Sequence, residues 1–273
     1  MKPFRLALTV AVTLGALPLF AAEDPLQSFP PGKPGMRFIP STPPPDTAAN
    51  KLYPAAYIKA VGDVIRAFRA RDWPQTLEFL DRADKIHPPT PVTLNTRAAI
   101  AIEEKKFEDG ARLCQKALKL DPKFYPARFN LAEIELVQGR YAEARKAFEK
   151  FVRENPKDEL ARFRVFLTFL LEKNYDDARR SIDQIPFPGD TPAYYYANAS
   201  WEFAHDRASE GHKWLGRADW IFGPERSEIF ADSLYELGWI KRPAPNSAKV
   251  KPVSPPAAAA LEAPKPFTLA PQK

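Results

Sequence analysis

Trp73, Phe107, Tyr141 and Tyr175 follow one another at intervals of 34 residues. The text around each recurs: RARDWPQTLEFLDRADKIHP, EKKFEDGARLCQKALKLDP, VQGRYAEARKAFEKFVRENP and LEKNYDDARRSIDQIP. A fixed period of this size marks one supersecondary unit that is copied and stacked, because a unit so short cannot bury its own apolar face.

Each unit reads as two helices. In the second and third units apolar residues return at helical spacing: Leu94, Ala98, Ala101 and Ile102 predict a helix over Val92–Glu104. Leu131, Ala132, Ile134 and Leu136 predict one over Arg128–Gln138. A break follows at Lys105–Lys106 or Gly139–Arg140, and glycine suits the left-handed residue that ends a helix. A second amphipathic helix is expected over Glu108–Leu120 or Ala142–Glu154. It stops before Pro122 or Pro156, since proline excludes the preceding residue from helical geometry.

Equivalent positions form columns. Ala98 and Ala132 occupy a small column in the first helices; Gly110, Ala144 and Ala178 occupy one in the second. Helices cross at about 8–10 Å only where side chains permit it, so small residues belong at the crossings. Leu80, Cys114, Phe148 and Ile182 supply the bulk between them, and Pro88, Pro122 and Pro156 close three units. This pattern of a small residue, then an aromatic with a small residue, then a closing proline resembles the tetratricopeptide repeat family over about residues 57–192.

The resemblance implies an all-α fold: a right-handed α-solenoid of helix-turn-helix repeats with a C-terminal capping helix. The units are expected at about residues 57–90, 91–124, 125–158, 159–191 and 192–224. The fifth slips by one residue, with Ala199, Gly211 and Ala218 in the small columns. The first has Val64 and Thr76, and the fourth Phe166 and Ile185, where small residues are expected, which predicts less regular packing there. Residues 225–240 are expected to form the cap that covers the exposed end of a repeat stack, with its helix over Arg226–Trp239 and Ser227 as N-cap.

The ends read differently. Lys2 and Arg5, an apolar run from Leu6 to Phe20, and Ala21–Ala22 predict a signal peptide over residues 1–22, and hence export to a periplasm or secretion from the cell. After its removal no membrane-spanning segment is expected. Residues 23–50 are proline-dense, and residues 241–273 are rich in Pro, Ala and Lys; such composition favours extended linkers over a packed core. The folded body is then residues 51–240.

Charge divides the same way. The formal net charge is +6, yet Tyr57–Ile240 carries 29 basic and 30 acidic residues, so the basic excess belongs to the ends. A nucleic-acid reader should carry its basic stripe on the folded face, so no nucleic-acid partner is expected. Cys114, the single cysteine, falls in a core column, which excludes an intramolecular disulfide and points to packing.

No catalytic constellation stands out. His205 and His212 have Glu202, Asp206 and Glu210 nearby, but they flank a predicted turn near Asp206 and lack metal-ligand pairing on one helical face. No metal, cofactor or catalytic residue is expected, and the chain reads as a non-enzyme.

In the family resembled, first helices line a concave groove that takes a peptide or helix. By register that groove is expected at Asn95, Ala99 and Ile102; Phe129, Asn130 and Glu133; and Phe163, Arg164 and Leu167. The expected partner is a polypeptide. Of the terminal-carboxylate clamp that some members carry, only Asn130 and Arg164 match. Self-association, or occlusion of the groove by residues 29–45, is the alternative, since large apolar patches rarely stay uncovered. A carbohydrate-binding or enzymatic role for the aromatic unit between Trp201 and Trp239 is a further reading.

Overall fold

A computed structural model describes residues 53–242. The signal peptide expected at residues 1–22, the proline-rich stretch of residues 23–50 and the tail after Arg242 lie outside them. Among the described residues the fold is entirely helical, with eleven α-helices and no strand. The helices are α1 (Ala55–Arg69), α2 (Trp73–Ile86), α3 (Pro91–Glu103), α4 (Phe107–Leu120), α5 (Tyr125–Val137), α6 (Tyr141–Glu154), α7 (Glu159–Leu171), α8 (Tyr175–Asp183), α9 (Ala193–Ala204), α10 (Ala208–Phe222) and α11 (Pro224–Glu236). Two compact units divide between Glu143 and Ala144. The first holds α1 to α5, the second α7 to α11, and α6 falls almost wholly in the second.

The hairpin turns obey the sequence period more strictly than the side chains do. Arg71, Lys105, Gly139 and Lys173 all adopt positive φ, between 56° and 78°, at 34-residue spacing. In each turn the next amide reaches back five residues: Lys106 N–H donates to Ala101 O at 2.8 Å, and Asp72, Arg140 and Asn174 do the same. This left-handed closure satisfies carbonyls that a helix end would leave open. Only one of the four positions is glycine. A left-handed residue with a Cβ costs about 1 kcal/mol or more. Lys105→Gly, at an exposed site, is therefore expected to stabilise the protein by up to ~1 kcal/mol, and Gly139→Lys to destabilise it comparably. Urea unfolding midpoints of the two variants should move in opposite directions.

The next such turn lies at Asp206 (φ 60°), 33 residues after Lys173. The one-residue slip of the fifth unit therefore lies between these two turns, where α8 is short and residues 184–192 connect it to α9. That connection is fastened by Glu159 at the start of α7. Its carboxylate accepts from Asp190 N–H at 2.9 Å, from Thr191 N–H at 3.2 Å and from the Thr191 hydroxyl. Gly189 is required beside it, because a Cβ there would sit 2.9 Å from both Glu159 Oε2 and Pro186 O.

Local chemistry starts several helices where the side chains can cap them. Asp72 and Asp158 accept from Gln75 N–H and Ala161 N–H at 3.0 and 2.9 Å. Thr90 and Thr93 form a capping box at the head of α3, and Tyr57 ties α1 to that cap through Thr90 Oγ1 at 2.9 Å. The α5 helix begins three residues before its apolar rhythm does, because Pro126 is tolerated in a first turn. At the other end α11 starts at Pro224, directly after Gly223 (φ 79°). Ser227, expected as its N-cap, is instead inside the helix and buried.

The small and bulky columns meet in the core. Gly110 lies against Ala98 and Ile102, and Ala98, Cys114, Ala117 and Ala127 form one cluster of the first unit. Val64, Thr76, Phe166 and Ile185 are all buried despite their size. Burial pushes the Cys114 thiol up to about 12. The thiol is thus neutral at pH 7, and whatever its burial contributes is present below the ordinary thiol range and is lost as pH rises towards that value. Cys114 is expected to resist a thiol reagent at pH 8 in the native state and to react on unfolding in urea. Rapid labelling of the native protein would contradict its place in the core.

Candidate partner-binding face

First and second helices play different parts. No residue of α3, α5, α7 or α9 is exposed, whereas α2, α4, α6 and α10 each keep an exposed, charged face. The reason is visible in composition. α3 (PVTLNTRAAIAIE) and α7 (ELARFRVFLTFLL) are apolar or small almost all round, and helices of that kind are buried on all sides. α4 (FEDGARLCQKALKL) confines its charges to one side.

All nine expected groove residues lie on these inner helices, and the structure buries every one. Asn95, Ala99, Ile102, Phe129, Asn130, Glu133, Phe163, Arg164 and Leu167 are each 3 % exposed or less. These side chains pack between helices. In the first unit, Ala99 and Ile102 of α3 pack with Ile134 of α5. Asn130 Nδ2 donates to Asn95 Oδ1 at 2.9 Å, joining the two helices by a buried polar bond. Phe129 stacks on Tyr125 with ring centroids 5.5 Å apart.

In the second unit the cover is identifiable. α11 crosses α7 and α9. Phe230 packs between Phe163 of α7 and Tyr196 of α9, with ring centroids 5.6 and 5.8 Å away. Arg164 Nη2 points to the carbonyl of Ile229 at 3.5 Å, linking positions 65 residues apart in sequence. Beyond the helix, Trp239 stacks on Phe203 of α9 at 6.0 Å. A cap confined to the end of the stack would lie against α9 and α10. α11 reaches α7 as well, so it lies over first helices of two successive hairpins.

The other candidates resolve into packing. His205 directs Nδ1 to Trp201 O at 2.7 Å and packs on the Trp201 and Tyr175 rings. His212 sets an edge against Phe203. His87 is the C-cap residue of α2 and packs against Tyr53 and Tyr57. Among the described residues no group of three or more His, Cys, Asp or Glu side chains is placed to hold a metal ion. A cleft of about 310 Å³ opens between α6, α7 and α8, but its arginines are engaged. Arg180 pairs with Asp177, Arg153 with Glu149 at 3.8 Å, and Arg162 with Pro156 O at 3.0 Å. Of the C-terminal aromatics, Trp220 (48 %) stands exposed, whereas Tyr194, Tyr195, Trp201, Trp214 and Trp239 are half-buried.

Helical hairpins that repeat every 34 residues, with buried first helices and charged second helices, define a helical-repeat protein. Residues 101–164 match the tetratricopeptide repeat family. Those residues are similar to tetratricopeptide repeats, a fold that generally serves as a scaffold for protein–protein interaction. A crystal structure of a tetratricopeptide repeat protein from Parabacteroides merdae ATCC 43184 is similar, with a TM-score of 0.44 at 18 % identity, over 67 % of this chain and 74 % of that one. No curated protein matches the chain. Among the described residues no helix is long and apolar enough to cross a membrane.

Proposed function

We propose that this protein is a non-catalytic scaffold, exported to the periplasm or beyond the cell, that holds a polypeptide partner along its first helices. The observation that carries this reading is the repeat itself. Its recurring columns are consumed in stacking hairpins, so selectivity is left to the first-helix residues that differ from unit to unit. Asn95 and Asn130 supply amide groups there, Phe129 and Phe163 aromatic rings, and Arg164 a charge. Among the described residues the buried Oδ1 of Asn130 has no hydrogen-bond partner, which leaves acceptor capacity beside Asn95. The leader-like residues 1–22 support export.

Because the nine residues are buried, substituting them tests folding before it tests binding. A photo-crosslinking amino acid at half-buried Val137 or Leu171, at the ends of first helices, is the better probe, with exposed Lys116 and Lys146 on second helices as controls. The same polypeptide should be captured from both first-helix positions and from neither control. Adducts spread evenly over all four positions would overturn the reading.

A further inference from the structure

α11 behaves as a ligand of the face it covers. It follows α10 through the single residue Gly223, yet it turns away from the hairpin pattern and lies across α7 and α9. Of its buried residues, Ser227, Phe230, Ala231 and Leu234 fall at i, i+3, i+4 and i+7; the fifth, Asp232, lies beside that stripe and accepts from Arg242 at 2.8 Å, while Glu225, Arg226 and Glu228 face solvent. That is how an amphipathic helix enters a groove formed by other helices. Recognition also includes the helix backbone. Arg164, fully buried, points its guanidinium at the Ile229 carbonyl, a group that any helix in this position would present. Arg226 in turn donates to the Asp190 carbonyl at the α8–α9 connection.

A helix of 13 residues is marginal in water by itself, so α11 keeps its form through this packing and loses it readily on leaving. Its neighbours differ. α7 and α9 are covered on all sides and belong to hairpins. The element that opens at least cost is therefore the one that masks the face.

We propose that α11 is a resident pseudo-ligand: it occupies the α7–α9 face in the free protein and yields it to a partner helix bearing the same stripe. The partner is an amphipathic helix with an aromatic residue seated between Phe163 and Tyr196, a small residue following it, and an aliphatic residue one turn further on. This rests on the reading of the first helices as the partner-binding face. It adds that, in the second unit, the face is closed until α11 leaves.

The test uses the full chain and a fluorescein-labelled synthetic peptide of residues 223–240. Wild type, with the tethered helix at high effective concentration, should bind the peptide poorly. Two variants release the helix: Phe230→Ala removes its anchor, and Glu228→Pro breaks it while leaving every buried side chain in place. Each is expected to bind the peptide at least about tenfold more tightly, because affinity scales with the fraction of molecules whose face is open. A peptide carrying Phe230→Ala should not bind. Equal affinity in wild type and Glu228→Pro would overturn the proposal. So would hydrogen exchange in which residues 224–236 open only together with α7. If crosslinked adducts at Leu171 increase in Glu228→Pro, both readings stand. Peptide binding without any adduct at first-helix positions would retain the self-ligand and reject the partner scaffold. Adducts indifferent to Glu228→Pro would do the reverse.

Discussion

Phe163→Ala should destabilise the protein by about 3–5 kcal/mol, the cost of emptying a buried aromatic site in a core that relaxes only in part. Phe163 is fully buried. It meets Phe166 on its own helix, with centroids 6.1 Å apart, and Phe230 of α11, and the Arg164 guanidinium lies 5.4 Å from its ring. Removing the ring leaves a void that the stiff first helices cannot fill. Phe187→Ala, at a ring 42 % exposed, provides the control and should change stability by well under 1 kcal/mol. Urea unfolding followed by far-UV circular dichroism distinguishes the two. Similar midpoints for both variants would mean that Phe163 faces an open groove after all. Phe163→Glu is expected to be worse still, since it buries a charge with no built partner.

Gly110→Ala sets two effects against each other. Alanine is favoured over glycine inside a helix by about 0.5–1 kcal/mol. At Gly110, however, the new Cβ would lie 2.5 Å from Ile102 Cγ1 and 3.3 Å from the Ala98 carbonyl oxygen. Ile102 is fully buried and its Cγ1 sits next to the branch point, so it cannot swing aside. Overpacking of this kind costs about 1–3 kcal/mol, and the clash should win. Gly110→Val should cost more. The double variant Gly110→Ala/Ile102→Ala tests the cause, because Ile102→Ala deletes the atom that is struck. Its loss should fall short of the sum of the single losses by about 1 kcal/mol or more, a coupling expected only between residues in contact. Strict additivity would mean that α3 and α4 do not cross at these residues.

Much of the fold can be read from the chain alone. The 34-residue interval, the aromatic at the head of each second helix and the small columns identify the hairpins and where they cross. The reason is physical: a residue at a helix crossing has few acceptable sizes, so it recurs wherever the crossing recurs. The left-handed turn residues were less legible. Arg71, Lys105 and Lys173 share a backbone conformation with Gly139 but nothing in their side chains announces it.

That the candidate face is buried has a reason that was itself present in the sequence. The apolar text of α3, α5 and α7 runs all round each helix, the mark of an element buried on every side. Register placed Phe129 and Phe163 on a common face, but periodicity reports which side a residue points to, not whether that side is covered. The covering of α7 by α11 depends on Phe230 meeting Phe163, and on Arg164 reaching a carbonyl 65 residues further on. Contacts so distant in the chain leave no periodic trace.

The sequence by itself therefore determined the repeat, its helices and the packing columns, since these rest on local spacing and on crossings copied from unit to unit. Only the tertiary structure decided which helix faces are closed, because closure is set by the path of one unrepeated helix, α11, back across hairpins that precede it.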